Sequence, residues 1–273
     1  MKIVIIGAGN MGGWLARNLA SENELILTDQ YPEKSKQISL QNSKIQSLSA
    51  LEEIKKFKPG FLINAVSIRN TRAAFESVLP YLPPETILAD MASVKGHLPE
   101  FYKKCGFRFV SVHPMFGPTF ANVDRIEEEN AVIIKESDPQ GAAFFRKFFT
   151  NLGLNIHEYS FQEHDDMMAY SLSLPFASSM VFAACMRSQT VPGTTFKKHR
   201  NIAEGLLAED DFLLSEILFN PHSLSQLEKI TNKLEFLKHV IRGRDTEEAV
   251  KFFNRLRSNM KRSGLPSNDS SQL

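Results

Sequence analysis

The first residues of this chain that could do chemistry are the glycines of the loop Gly7-Ala-Gly-Asn-Met-Gly12. An apolar run, Lys2–Ile6, precedes the loop and a helical pattern follows it, which is the setting that a dinucleotide-binding fingerprint requires. Gly7 permits a tight turn, Gly9 lets the backbone approach a pyrophosphate, and Gly12 allows helix and strand to pack closely. The helix N-terminus offers free N–H groups to phosphates. The residues predicted here to bind cofactor are Gly7, Gly9, Asn10, Met11 and Gly12.

An acidic residue follows the second predicted strand. The run Glu24–Thr28 ends at Asp29, 17 residues after Gly12. A carboxylate at this position accepts the ribose 2′-hydroxyl and repels a 2′-phosphate, so Asp29 favours NAD over NADP. The alternative is a glycine-rich turn beside a surface acid. Because the strand, the helix and the acidic residue all occur at the spacing that the fingerprint requires, we predict NAD as the cofactor.

Polar residues follow three later strand patterns, at Asn64–Ser67, Ala89–Lys95 and Ser111–Pro118. Open parallel sheets bind ligands at the carboxyl ends of their strands, so these segments are expected to meet at one site. Ser93 is placed to bond a substrate hydroxyl or a facing imidazole. The further residues predicted on the cofactor side of this site are Ala65, Ser67 and Ala92.

His113 is the best acid–base residue in the sequence. It follows an apolar strand, and Pro114 and Pro118 stiffen the loop around it. Oxidation of an alcohol needs a group that accepts the hydroxyl proton, and histidine titrates in the required range. A structural histidine at a strand end is an equal alternative from position alone.

Composition excludes several functional classes. The 273 residues are 42% hydrophobic with a formal net charge of +1, which is ordinary for a soluble globular protein and predicts no nucleic-acid partner. Cys105 and Cys185 are too few for a disulfide framework. No metal-ligand spacing is visible, and we predict no metal. The longest apolar stretch, Leu174–Met186, falls short of the roughly 20 residues of a membrane span. We therefore expect a cytoplasmic protein with no membrane partner.

Short apolar runs alternate with amphipathic stretches up to residue 159, a pattern typical of a parallel sheet with crossover helices. From residue 160 only helical periodicity remains, beginning with a long helix at Gln162–Arg187 in which Pro175 is a kink. We predict an α/β fold: an N-terminal Rossmann-type, mostly parallel sheet at 1–159, followed by an all-α C-terminal domain at 160–273. The predicted strands are Lys2–Ile6, Glu24–Thr28, Lys44–Ser47, Phe61–Ala65, Thr86–Asp90, Phe107–Val112, Ala131–Ile134 and Asn155–Tyr159.

Four motifs together resemble the prephenate dehydrogenases of tyrosine biosynthesis: GAGNMGG at 7–13, Ala92–Lys95, Ser111–Pro118 and Glu163–Asp165. The resemblance extends from Met1 to about Arg257. It implies NAD-dependent oxidative decarboxylation of prephenate to 4-hydroxyphenylpyruvate, or of its amino analogue arogenate to tyrosine. It also implies that the helical half closes the substrate cleft and forms a homodimer.

The resemblance assigns roles to particular residues. It implies that His113 helps to remove the proton of the ring hydroxyl and that Ser93 supports that contact. The chain departs from the family at two positions: Ser173 stands where a histidine often precedes Leu-Pro, and Gly205 stands where an arginine commonly binds a substrate carboxylate. We predict Ser173 and Arg200 as substrate-binding residues, because the fork of an arginine suits a carboxylate.

Two further hypotheses stay open. A related reductase of an imine or a 2-hydroxy acid would share the glycine loop, although such enzymes lack the His-Pro-Met-Phe-Gly-Pro stretch. A catalytically silent, NAD-sensing regulator would explain the two departures. The choice between prephenate and arogenate also stays open.

Overall fold

A computed structural model describes residues 1–48, 50–116, 126, 129–187, 191–209 and 211–262, with the side chain of Arg262 left aside. Its centre is one eight-stranded sheet in the order β3-β2-β1-β4-β5-β6-β7-β8. The first six strands run parallel, β7 pairs antiparallel with β6, and β8 pairs parallel with β7. The strands are β1 Lys2–Ile6, β2 Glu24–Thr28, β3 Ile45–Ser47, β4 Phe61–Asn64, β5 Ile87–Asp90, β6 Arg108–Pro114, β7 Asn130–Ile134 and β8 Asn155–Tyr159.

Twelve α-helices lie in the described part of the chain. A π-helical turn, Ala169–Ser173, joins the seventh and eighth into one helical run. The helices are α1 Asn10–Leu19, α2 Pro32–Gln41, α3 Glu53–Phe57, α4 Thr71–Val78, α5 Leu98–Cys105, α6 Pro139–Asn151, α7 Phe161–Met168, α8 Leu174–Ala184, α9 Thr194–Leu207, α10 Asp211–Leu218, α11 Ser223–Gly243 and α12 Thr246–Arg262.

The sheet is buried on both faces, as a parallel sheet between helices must be. On one face Trp14 of α1 and Phe145 of α6 pack in a single apolar cluster. On the other face Phe75 of α4 and Tyr102 of α5 pack in a second cluster. The two clusters pack helices against both faces of the sheet. Because β1, β4, β5 and β6 run parallel, their carboxyl ends lie at one edge.

The predicted fold class is confirmed, and all eight predicted strands are present with ends that differ by at most two residues. Helix α2 was not predicted, because Ser35 is its one buried residue and no apolar stripe marks it. Pro175 lies in the first turn of α8, where its missing N–H is tolerated, directly after the π-helical turn Ala169–Ser173. The predicted kink at Pro175 stays a prediction.

Two compact units divide the chain at another position than the predicted boundary: residues 1–223 form one unit and residues 224–273 the other. The change from strands to helices does fall after β8, and the domain boundary at residue 159 stays a prediction. One helical run, Phe161–Ala184, has 24 residues and is long and apolar enough to cross a membrane by length and composition. The same run carries a buried histidine, His164, that contacts β6.

Candidate functional site

The glycine loop has the geometry that its sequence predicts. Gly7 has a φ of 99°, which only glycine adopts freely, and its N–H donates to the Thr28 carbonyl at 2.8 Å. A Cβ on Gly12 would lie 1.8 Å from the carbonyl oxygen of Gly7, so helix α1 packs directly on the loop. A Cβ on Gly9 would meet nothing within 4 Å. The backbone at Gly9 therefore faces open space that a ligand could fill.

That open space is part of a cavity of about 560 Å³ at the carboxyl ends of β1, β2 and β4. Five of the predicted cofactor residues line it, namely Gly7, Gly9, Asp29, Ala65 and Ser67. The other four do not: Met11 and Gly12 pack inward, Ala92 is buried in the second apolar cluster, and Asn10 opens α1. Polar lining residues that the sequence did not indicate include Gln30, Lys34 and Asn70.

Asp29 has a second role that the sequence did not reveal. Its half-buried carboxylate accepts a hydrogen bond from the N–H of Ala8 at 2.7 Å and another from the N–H of Tyr31 at 2.9 Å. The first bond ties the end of β2 to the glycine loop. Each carboxylate oxygen retains a further lone pair, and Asp29 lines the cavity. Asp29 can therefore hold the loop and still accept a ligand hydroxyl.

His113 lies near the end of β6 and is 7% exposed. Its Nδ1 lies 3.1 Å from Nε2 of His164, which is fully buried on α7. Nδ1 of His164 lies 3.2 Å from Oδ1 of Asp165. Burial, the neighbouring His164 and the charge of Lys95 hold the pKa of His113 well below its ordinary value. Both strand and helix thus contribute to one buried chain of hydrogen bonds.

Asp165 determines which atoms donate and which accept in these hydrogen bonds. The Asp165 carboxylate only accepts, so Nδ1 of His164 carries a proton and a neutral His164 has an acceptor at Nε2. Nδ1 of His113 must then donate. Burial also lowers the pKa of His164, so this neutral form is the one expected near neutral pH. Nε2 of His113 is left with a free lone pair, as a general base requires.

A fully buried ion pair that the sequence did not indicate contacts the backbone of β6 at Val112, next to His113. Nζ of Lys95 lies 2.8 Å from Oδ1 of Asp90 and donates to the carbonyl of Val112, also at 2.8 Å. The hydroxyl of Tyr102 donates to the other Asp90 oxygen at 2.7 Å. Burial lowers the pKa of Lys95, while burial and Asp90 raise that of Tyr102 well above 10. This network fixes the backbone from which the His113 side chain extends.

Ser93 lies half-buried in the turn between the two members of this ion pair. The N–H of Ala92 donates to Oδ1 of Asp90 at 3.1 Å, and the N–H of Lys95 to Oδ1 of Asp165 at 3.4 Å. The turn is therefore held at both ends, and one of its anchors is the carboxylate that also contacts His164. The catalytic role of Ser93 stays a prediction.

The two predicted substrate-binding residues already have partners within the chain. The hydroxyl of Ser173 is buried and lies 2.7 Å from the hydroxyl of Ser223. The guanidinium of Arg200 is exposed and lies 2.7 Å from Glu204, one turn further along α9. Their predicted roles are untested, and the contacts favour structural ones. Among the described residues, no group of three or more histidines, cysteines, aspartates or glutamates is arranged to hold a metal ion.

Comparison with known families gives a match over residues 14–139 to the prephenate dehydrogenase, nucleotide-binding domain. The resemblance predicted from the motifs is thereby confirmed. The match begins after the glycine loop, which stands on its geometry alone.

Curated relatives are distant. Arogenate dehydrogenase 1, chloroplastic, of Arabidopsis thaliana is 23% identical over 89% of this chain, and the T-protein of Enterobacter agglomerans is 23% identical over 72% of it. The chain spans 40% of the length of the first relative and 54% of the second.

Two solved structures share the fold over nearly the whole chain. Prephenate dehydrogenase from Aquifex aeolicus, crystallised in complex with hydroxyphenyl propionate and NAD⁺, has a TM-score of 0.81 at 19% identity and covers 96% of this chain and 98% of its own. Synechocystis arogenate dehydrogenase has a TM-score of 0.78 at 18% identity and covers 96% of this chain and 100% of its own. At these identities the likeness concerns the fold.

Proposed function

We propose that this chain, whose residues 14–139 match the nucleotide-binding domain of prephenate dehydrogenases, is an NAD-dependent oxidoreductase of tyrosine biosynthesis. The proposed reaction is oxidative decarboxylation of prephenate to 4-hydroxyphenylpyruvate. The observation that carries the proposal is the buried chain from His113 through His164 to Asp165, at the edge of the sheet where the glycine loop also opens.

The cavity fits NAD. Gly9 leaves its backbone open to a pyrophosphate, and the N-terminus of α1 lies directly behind it. Asp29 borders the same cavity with a carboxylate that suits a ribose hydroxyl. Bound NAD would supply the hydride acceptor. The Aquifex aeolicus prephenate dehydrogenase was crystallised with NAD⁺, which supports the same choice.

In the proposed reaction the residues of this chain accept and hold one proton, that of the ring hydroxyl. Nε2 of neutral His113 accepts the proton of the ring hydroxyl as the substrate is oxidised and its ring carboxylate leaves as CO₂. The imidazolium that forms is stabilised through His164 by the Asp165 carboxylate. Aromatisation of the ring supplies driving force, so the protein mainly positions the substrate and excludes water. Ser93 is proposed to support the hydroxyl from the neighbouring strand end.

Arogenate is the second proposed substrate, because two of the proteins to which this chain is similar are named arogenate dehydrogenases. Prephenate and arogenate share the ring hydroxyl and the ring carboxylate. His113 and the hydrogen bonds that support it could therefore accept the hydroxyl proton of either substrate. The difference between them, a keto or an amino group, lies in the side chain.

We also propose a cytoplasmic homodimer. In the unit 224–273, helices α11 and α12 expose large apolar side chains that water would not favour. A second copy of the chain would cover them, and sedimentation velocity at micromolar concentration would show a dimer near twice 30.8 kDa. The exposed side chains are Leu224, Leu227, Leu234, Leu237, Ile241, Val250, Phe253, Leu256 and Met260.

The test is formation of NADH with prephenate and with arogenate. His113→Asn should lower kcat by about 10²- to 10⁴-fold. His157→Asn is the matched control, since His157 is exposed on β8 and contacts Asn130 instead. If neither substrate is oxidised although NAD binds, the silent regulator replaces this proposal. Turnover of NADH with an imine or a 2-keto acid alone would favour the reductase.

A further inference from the structure

A short 3-10 turn, Ile68–Asn70, leaves the carboxyl end of β4 beside the cofactor cavity. Ser67 and Asn70 line that cavity, whereas the Arg69 side chain between them does not. The Arg69 guanidinium lies instead over the ring of Phe212 on α10, with its Cζ 5.8 Å from the ring centroid. Arg69 therefore extends from the nucleotide-binding sheet toward the helix that faces it.

The turn is held firmly in place. Asn64, at the end of β4, donates from Nδ2 to the carbonyl of Thr71 at 2.8 Å, and the Thr71 hydroxyl bonds the carbonyl of Ser67 at 3.2 Å. Asn70 donates to the hydroxyl of Ser67 at 3.1 Å. A side chain mounted on such a braced turn is positioned with less loss of entropy than one on a free loop.

The residues around this turn lie at the carboxyl edge of the sheet, where β5 also ends. Ile68 packs on a cluster that contains Val94, from the turn after β5, and Leu214 of α10. A small cavity of about 10 Å³ is lined by Ile68, Val94 and Lys95 together with Glu216. The segments that follow β4 and β5 therefore both contact α10, through Ile68 and Val94. Ile68 is the neighbour of Arg69 in sequence, and Val94 is the neighbour of Ser93.

Arg69 differs from three other cations of the chain in its charge pairing. Arg72 is 2.7 Å from Glu76, Arg200 is 2.7 Å from Glu204, and Lys95 is 2.8 Å from Asp90. No carboxylate of a described residue lies within ion-pair distance of Arg69. An aromatic ring orients a guanidinium without neutralising it, which leaves its donor fork available to a ligand anion.

We propose that Arg69 binds a carboxylate of the substrate. The inference rests on the proposed function. The carboxylate concerned is the one that the product retains, because a salt bridge to the departing carboxylate would stabilise the ground state and oppose its loss. Arg69 thus recognises the acidic side chain that prephenate and arogenate share.

The experiment combines kinetics with binding of a product analogue to the NAD-loaded protein. Arg69→Gln should raise KM by roughly 10- to 100-fold, the range of a lost hydrogen bond to a charged group, with kcat far less affected. Arg69→Lys should recover part of the loss because it keeps the charge. Arg72→Gln, three positions away and paired with Glu76, is the matched control and should leave KM unchanged.

The analogue arm separates a carboxylate contact from a fold defect. 3-(4-Hydroxyphenyl)propionate carries the retained carboxylate, and 4-hydroxyphenylethanol lacks it. Arg69→Gln should weaken the first by a similar factor and leave the second and NAD unchanged. Equal effects on both ligands, an unchanged KM, or a rise in KM for Arg200→Gln alone would overturn the inference. If the wild-type chain oxidises neither substrate, the proposed function fails while the two analogues still decide the role of Arg69.

Discussion

The imidazoles of His113 and His164 face each other with Nδ1 of the first 3.1 Å from Nε2 of the second. The first ring comes from a strand of the nucleotide-binding sheet and the second from the helix that follows the sheet. Because Asp165 fixes the tautomer of His164, the contact also fixes that of His113. The lone pair of neutral His113 is thereby kept at Nε2, although no carboxylate of a described residue contacts that imidazole directly.

Replacing His164 should impair the chemistry more than binding. His164→Phe removes the acceptor that orients His113, and we expect kcat to fall by about 10- to 100-fold with KM little changed, the cost of a lost bond that supports a charge. His164→Gln keeps a polar group in reach of Nδ1 and should retain more activity. Steady-state kinetics on both variants, with thermal melting to check folding, would measure this. A normal kcat in His164→Phe would show that the contact is only structural.

The pH dependence follows from the direction of the pKa shifts. Both histidines have a pKa below the ordinary 6.5, so His113 remains neutral and active in mildly acidic solution. The acidic limb of kcat/KM should therefore lie clearly below pH 6.5. In the unfolded chain both histidines bind protons below 6.5 while the folded chain does not, so stability should fall as pH drops from 6.5 toward the folded-state values. A limb at or above 6.5 would contradict either the lowered pKa of His113 or its proposed role as the base.

The sequence was sufficient for those parts of the site that local pattern determines. The glycine loop, Asp29 and His113 each stand at the end of a recognisable apolar strand, so the fold and the placement of these three candidate positions at one edge of the sheet could be predicted. The partner of His113 could not, because 51 positions of chain separate it from His164. The pattern shows where a strand ends but not which helix covers that end.

Side-chain partners were the other limit. Lys95 lies in a polar segment and gives no sign in sequence that it is fully buried against Asp90. Ser173 was predicted from its place before Leu-Pro, but its hydroxyl contacts Ser223, 50 positions away. The pairing of Arg200 with Glu204 has the spacing of one helical turn and was readable in advance.

Removing the buried ammonium of Lys95 should lower the free energy of unfolding substantially. Lys95→Met leaves the Asp90 carboxylate buried and unpaired, and breaking a buried pair in this way costs about 3–5 kcal/mol. Urea unfolding followed by circular dichroism would measure the loss. The double variant Lys95→Met with Asp90→Asn removes the orphaned charge and should recover part of the stability. If both variants lose the same amount, the cost comes from packing and the ion pair contributes little.

Neutralising Asp29 should change cofactor selection. Asp29→Asn keeps an oxygen that can accept from the N–H of Ala8 but removes the charge that repels a 2′-phosphate. We expect the ratio of kcat/KM for NAD to that for NADP to fall by about tenfold or more, equivalent to about 1.4 kcal/mol. Asp29→Ala should show the same loss of selection together with a looser glycine loop. A ratio unchanged in Asp29→Asn would mean that another group selects the cofactor.

The glycines of the loop should respond in opposite ways to the same small change. In Gly9→Ala the new methyl group meets nothing within 4 Å and the φ of −76° is ordinary, so the free energy of unfolding should change by less than about 1 kcal/mol. The methyl group would occupy the path of the pyrophosphate, and NAD should bind at least about tenfold more weakly. Gly12→Ala places the methyl group 1.8 Å from the Gly7 carbonyl oxygen and should destabilise the fold by about 1–3 kcal/mol. Calorimetric titration with NAD and urea unfolding on both variants would separate the two effects. Tight NAD binding by a stable Gly9→Ala protein would show that the dinucleotide does not cross the loop there.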